Sequence, residues 1–462
     1  MRTRAVPAVL SIALLFPACV VDPGDPADPG DDDVGAAEQA LAGELDTGFG
    51  AGGTVRKDVS PGADDSARDV AIQSDGKILV VGAGFVTLGG TAVRTATLLR
   101  YNANGTLDSS FAQGGIATLT GATDANGVAI QPDGKIVIVG TAGEGIYVSR
   151  YNTNGTLDSS FGLSGTRTLS LNGGPNPIIL FGENVTLQGD GKVVAVGRSN
   201  SVVSFTGEVI KPGHFVVLRL TASGAFDTSF DGDGFVALAW ENRAANSLFA
   251  VKVDSSGRIL GAGMTDSLSG TRRTEHIALV RWSSNGSLDN SFGTGGVRVT
   301  PIETFYSRIN DIALQSDGKI VAAGHAFDLA QGTTLESVVL RYSSSGNLDP
   351  TFGNGGIFTS TFGTGAVAND LAFDSSGRIV FAGYRATGIG LGVTMSVARL
   401  KANGTLDTAF GGGDGIALAN PGGVSSQAAG VAIQGDGKLV VAGPAVGSGN
   451  KLDHGLARFL IN

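Results

Sequence analysis

Apolar and polar positions recur along this chain in one repeated phrase. Ala67 to Gln73 alternates well enough for a half-buried β-strand. Ser74-Asp75-Gly76-Lys77 follows, and Asp-Gly takes positive φ at both corners of a two-residue hairpin. Ile78 to Gly82 is fully apolar and predicts a second strand. After a variable stretch, Thr97 to Tyr101 predicts a third. Asn102 to Gly105 turns the chain, Leu107-Asp108 and Phe111 follow, and Ile116 to Thr120 reads as a fourth strand. The hairpin glycine returns at Gly134, Gly191, Gly257, Gly318, Gly377 and Gly437, a step of about 60 residues that signals a solenoid or a propeller.

The two ends of the repeat region decide between those architectures. Leu45-Asp46-Thr47-Gly48-Phe49 matches the element that introduces a fourth strand elsewhere, and Leu456-Ala457-Arg458-Phe459 matches a third strand. The region therefore starts with a lone fourth strand, about Thr54 to Val59, and ends one strand short. Pairing them completes a seventh blade and removes an exposed sheet edge. The expected fold is all-β: a seven-bladed β-propeller of four-stranded antiparallel blades, closed by the N-terminal strand. A β-solenoid, the competing architecture, needs no such match. Six blades place Arg eight residues before the Leu-Asp aspartate, as in Arg100 and Asp108. The seventh pair would be Arg458 and Asp46, from opposite ends of the chain.

Composition adds an address. Arg2 and Arg4 precede the apolar stretch Ala5 to Phe16, which is too short to span a bilayer. Phe16-Pro17-Ala18-Cys19 ends it in the manner of a bacterial lipobox, with Phe16 where leucine is more usual. Residues 1–18 are thus expected to be a lipoprotein signal peptide and Cys19 the lipidated first residue, anchoring the protein to a membrane. The alternative is an ordinary signal peptide cut nearby. Val20 after the cysteine favours the outer membrane by resemblance to lipoprotein sorting. Cys19 is the only cysteine, so no intrachain disulfide is expected. Residues 19–44 carry six Asp, two Glu and no Lys or Arg, and read as a disordered tether. Much of the net charge of −10 sits there. Residues 45–462 are nearly balanced, without a basic footprint for nucleic acid.

The phrases Gln73-Ser-Asp-Gly-Lys77, Leu98-Leu-Arg-Tyr101 and Leu107-Asp-Ser-Ser-Phe111, repeated in order, resemble the delta-60 repeat of bacterial exported, propeller-like proteins. The resemblance covers residues 45 to 462. Blades four and six depart at the hairpin (Asp254-Ser-Ser-Gly-Arg258 and Asp374-Ser-Ser-Gly-Arg378), and Phe226 replaces leucine in blade three. The resemblance implies a propeller and carries over no substrate, cofactor or catalytic residue.

Residues present in every blade are read as builders: Asp-Gly turns, Arg–Asp pairs, and phenylalanines such as Phe49, Phe111 and Phe230 wedged between blades. The hairpins share one face of the ring. The stretches Ala83 to Ala96, Ser199 to Gly213, Met264 to Thr274, His325 to Glu336 and Tyr384 to Val393 are expected as variable loops on the other, the face where binding belongs. The four histidines, at 214, 276, 325 and 454, fall at that level and are expected to be scattered, solvated loop residues. Phe230-Asp231-Gly232-Asp233-Gly234 looks superficially like a calcium loop but lacks the remaining ligands, and a tight turn is the simpler reading. Aligning the first strands on their turn glycines puts Asp69, Gly127, Asn184, Ala250, Asp311, Asp370 and Gly430 in one ring, beside Asn126, Glu183, Asn310 and Asn369. Oxygen ligands of this kind suit a hard cation, so Asp69, Asn184, Asp311 and Asp370 are the candidate Ca²⁺ ligands at the channel mouth; the alternative is that they cap the turns entering each first strand. No catalytic residue is singled out. The leading expectation is a lipid-anchored, monomeric envelope scaffold that meets a protein or surface ligand; the alternative is a metal-dependent, lactonase-like hydrolase.

Overall fold

The alternation folds as predicted, and each copy becomes one antiparallel sheet. A computed structural model describes residues 41–461 apart from 172–177, 204–208, 242, 270–271, 303–305, 329–333, 364, 387–391 and 448. The expected leader, Cys19 and most of the expected tether lie outside the described residues. Among those described, the strands form seven four-stranded blades. Blade one comprises Ser66–Ile72, Ile78–Leu88, Thr91–Tyr101 and Ile116–Leu119. The first strands of the next five blades are Asp124–Ile130, Leu180–Leu187, Asn246–Val253, Tyr306–Leu314 and Ala366–Phe373; in blade seven Ser425–Ser426 and Gly430–Ile433 take that place. Each first strand contacts those of the two neighbouring blades, and blade seven contacts blade one, so the first strands encircle a central channel. A single pairing, Arg198↔Ser247, joins blades three and four into one continuous sheet.

The chain's ends close the ring. Thr54–Lys57 pairs antiparallel with Leu452–Phe459, with Thr54 opposite Ala457, and Arg458 Nε donates to Asp46 Oδ2 at 2.9 Å. Residues just before 45 also join the seam: the Gly43 N–H donates to the Leu460 carbonyl, and the Leu460 N–H to that of Glu44.

Adjacent blades are held by a staple repeated seven times. The arginine of each blade bonds its own Leu-Asp aspartate, for example Arg100 Nε to Asp108 Oδ2 at 2.8 Å. It also donates to a turn carbonyl of the next blade: Arg100 to Thr153, Arg399 to Ile461, and Arg458 of blade seven to Ala103 of blade one. Its guanidinium lies over the buried phenylalanine, 4.3 Å from Phe111 for Arg100 and 4.6 Å from Phe49 for Arg458. That ring in turn packs on the turn glycine of the next blade. A Cβ on Gly155 would sit 2.8 Å from Phe111, at a backbone φ of +86° that already favours glycine. The hairpin cation completes the set, with Lys135 Nζ 3.0 Å from Asp158 Oδ2.

Two expectations change. Ala83 to Ala96 is mostly hairpin rather than loop: Ile78–Leu88 and Thr91–Tyr101 pair as far as Leu88↔Thr91, because apolar and β-branched residues continue through Phe85-Val86-Thr87-Leu88. Strands Ile259–Ser269 and Arg272–Trp282 likewise pair to their tips. Three of the four histidines are not solvated loop residues either; His214 precedes strand Phe215–Leu220. His276, His325 and His454 lie in strands, and His325 and His454 are buried. Burial pushes their pKa down, to about 3 for His325 and about 4 for His454, which keeps both neutral. Their scatter over different blades stands.

Candidate functional site at the channel mouth

A bulge in the first strand of each of blades one to six builds the mouth. In blade one the pairing shifts between Ala67 and Asp69, leaving Arg68 as the extra residue; the equivalent shifts leave Asn126, Glu183, Phe249, Asn310 and Asn369. Opposite each bulge the second strand carries glycine. At Gly82 a Cβ would meet the Ser66 carbonyl oxygen at 1.9 Å, and at Gly324 that of Arg308 at 2.0 Å, so no larger residue fits. The bulge turns its extra residue towards the channel.

All four candidate ligands and all four of their neighbours from the sequence alignment line one cavity of about 380 Å³. It opens at the starts of the first strands, the face of the variable hairpins. Within it the aspartates are engaged between blades. Asp69 Oδ2 accepts from the Val128 N–H of blade two at 2.9 Å, and Oδ1 from its own neighbour Val70 at 2.7 Å. Asp370 does the same with Val431 of blade seven and with Leu371. Asp311 Oδ2 accepts from Leu371 of blade six at 3.4 Å. The asparagines donate in the same sense: Asn126 to Gly182 O, Asn310 to Ala368 O and Asn369 to Ala428 O, each at 2.8 Å. These groups tie the first strand of blade one to that of two, two to three, five to six and six to seven. Asn184 shares the cavity wall.

Among the described residues, the one group of three acidic or histidine side chains whose ligand atoms all lie within 4.8 Å of one another is elsewhere. The positive charge near the channel aspartates is Lys252, whose Nζ lies 3.8 Å from Asp311 Oδ1. Burial, the charge of Asp311 and their shared hydrogen bond hold the Asp370 carboxyl well above the carboxylate range. Burial, with Asp311 adding to it, pushes Asp69 up to about 6. The pull of Asp311, with smaller ones from Asp370 and Asp69, outweighs desolvation and raises Lys252.

Above this level the wall changes character. Arg308 stacks 5.0 Å over the Phe249 ring; its Nε is buried without a partner. His325 stacks on Tyr306 at 5.9 Å. Arg68, Tyr384 and Gln427 complete the rim. The ring from the sequence alignment held the aspartates but missed Lys252, Arg308 and Tyr384. Lys252 had a signal: five residues before each turn glycine the chain has Ala71, Ala129, Thr186, Lys252, Ala313, Ala372 and Ala432, one lysine among small residues. The Asp231–Asp233 stretch is a tight turn. Asp231 has φ of 55°, and Asp233 Oδ1 accepts from the Phe235 N–H.

Comparison with known proteins agrees with this architecture. Residues 73–111, 131–161, 188–230, 315–352 and 375–410 match the family model described as the domain of unknown function (DUF5122) beta-propeller, a match that supports a β-propeller built of repeats. No curated protein matches the sequence. Similar solved structures include a protein of unknown function from Dyadobacter fermentans, at 11% identity and a TM-score of 0.43, with 89% of this chain and 100% of that one covered. Virginiamycin B lyase from Staphylococcus aureus aligns at 13% identity and a TM-score of 0.45, with 87% and 98% covered.

Proposed function

We propose that this protein is a lipid-anchored β-propeller of the bacterial cell envelope that binds a polar, anion-bearing ligand at its channel mouth and performs no chemistry on it. Arg308 carries the reading. Its guanidinium lines the cavity, stacks on Phe249, keeps a buried Nε without a partner and forms no salt bridge among the described residues. Such a planar cation is suited to a carboxylate or a similar oxyanion. Arg68 adds a second charge; Tyr384, Gln427 and Asn184 add hydrogen-bonding groups for hydroxyls. The alternative, a metal-dependent hydrolase using Asp69, Asn184, Asp311 and Asp370, has less support. Their carboxylates accept backbone N–H groups of neighbouring blades and face the ammonium of Lys252. The anchor rests on Phe16-Pro17-Ala18-Cys19, and outer-membrane placement on Val20.

Thermal-shift measurements with glucuronate, citrate and inorganic phosphate test the site. At least one of these anions should raise the Tm of the wild-type protein, and Arg308→Ala should abolish that shift while the unliganded Tm stays within a few degrees. Stabilisation by neutral sugars alone, or an anion shift that survives Arg308→Ala, would overturn the reading. Mass spectrometry of the N-terminal peptide tests the anchor: Cys19→Ser should release the protein from the membrane fraction.

A further inference from the structure

The seam where the two chain ends meet holds an unbalanced group of carboxylates. Strand Thr54–Lys57 pairs with Leu452–Phe459 as far as Lys57↔His454, so Asp58 and Asp453 come next in line, facing each other. Asp65 reaches the same corner from the loop that enters blade one. Its N–H donates to the Leu452 carbonyl at 2.7 Å. One oxygen from each of Asp58, Asp65 and Asp453 lies within 4.8 Å of the other two. Arg56 is the one cation ion-paired with this group among the described residues, and its Nε and Nη2 both go to Asp453 Oδ2 at 2.5 Å. Two formal negative charges stay uncompensated. Like charges facing each other across neighbouring strands are destabilising.

A second observation is independent of the charge count. Asp65 is 0% exposed. Its Oδ2 accepts from the N–H groups of Val59 (2.7 Å) and Ser60 (2.8 Å). Its Oδ1 is buried with no donor. The nearby Ser60 hydroxyl accepts from the Phe85 N–H at 2.6 Å and donates to the Phe85 carbonyl at 3.0 Å. Beside that oxygen stands Gly84, whose absent Cβ would lie 3.0 Å away. A buried carboxylate oxygen without a donor, in a group carrying net charge −2, is a position that a cation completes.

We propose that a divalent cation, calcium by its ligand chemistry, binds at this seam through Asp58, Asp65 and Asp453, with water completing its shell. The donors are all hard oxygens in an irregular arrangement, which Ca²⁺ tolerates and Mg²⁺ does not. The ligands come from the end of the closing strand, the entry loop of blade one and the last strand, so binding is coupled to closure of the ring. The site is separate from the channel mouth and independent of what binds there.

The test is calcium titration of the full-length protein by calorimetry, with thermal unfolding followed in excess calcium and in excess chelator. The wild type should bind calcium and melt several degrees higher with it. Asp58→Asn alters an exposed side chain and should leave the fold intact, yet remove the calcium-dependent shift. Arg56→Gln, which removes the competing cation, should tighten calcium binding. Asp65→Asn also loosens the turn it caps, so Asp58→Asn is the deciding variant. Identical melting of the wild type in calcium and chelator would overturn the proposal. So would calcium binding that survives Asp58→Asn or is lost in Asp311→Ala.

Discussion

Two rings of aspartates join the blades of this propeller, and their electrostatics are opposite. The outer ring, on the hairpin face, includes Asp46, Asp108, Asp158 and Asp349. Each meets the arginine of its blade and the lysine of the hairpin. The hydrogen bond from Ser110, then Arg100 and Lys77, hold Asp108 down at about 2 against burial. The channel ring of Asp69, Asp311 and Asp370 also links blade to blade, through backbone N–H groups, yet burial and mutual repulsion drive Asp69 and Asp370 upward. One lysine serves three carboxylates there, whereas outside two cations serve one. A carboxylate's partners, more than its place in a repeat, decide whether it stabilises as an anion.

The harshest way to break the comparison is to remove a whole copy of the outer staple. Deleting residues 45–60 takes away Asp46, Phe49 and the closing strand, and should give insoluble protein or a Tm lower by well over 10 °C. Deleting 20–40 should leave the melting curve unchanged; equal, small effects from both deletions would contradict the shared seventh blade. Next comes Arg399→Ala. Arg399 is 1% exposed, bonds Asp407 at 2.8 Å and stacks on Phe410. Removing it leaves Asp407 without its buried partner and should cost about 3–5 kcal/mol by chemical denaturation. Asp108 makes the outer ring acid-sensitive. A depressed carboxylate contributes stability above its unfolded pKa, near 3.9, and loses it as pH falls through about 2.

The smallest effects belong to the channel. Lys252→Met should cost about 1–2 kcal/mol near pH 8, since channel water screens the exposed part of the ammonium, and less near pH 5. Asp69, with its pKa raised to about 6, has the opposite sign to Asp108. Its contribution is present below the unfolded value of about 3.9 and is lost as pH rises through about 6. Asp69→Asn should therefore flatten the wild-type decline in Tm between pH 4 and 7. A decline that is unchanged in Asp69→Asn would assign it to another group.

Much of the channel wall was legible because every blade carries a turn glycine as a ruler. Counting back from Gly76 or Gly318 lands on Asp69 and Asp311, and both line the cavity. Arg308 was not found, because nothing in a single strand says that a bulge will turn its neighbours inward beside Phe249. The long hairpins were missed because Ala83 to Ala96 differs from blade to blade, and a reading by repeats treats what varies as loop. The seam carboxylates were invisible for another reason: Asp58, Asp65 and Asp453 meet only because the chain's ends pair.

The sequence by itself determined the local conformations and their count. Asp-Gly turns and alternating apolar residues set each hairpin, and the leftover strands at either end required the ring to close. Tertiary structure decided which charges are satisfied. Whether an aspartate meets two cations, a backbone amide or two other aspartates depends on neighbours brought in by another blade, and the energy of a buried charge is set by those neighbours.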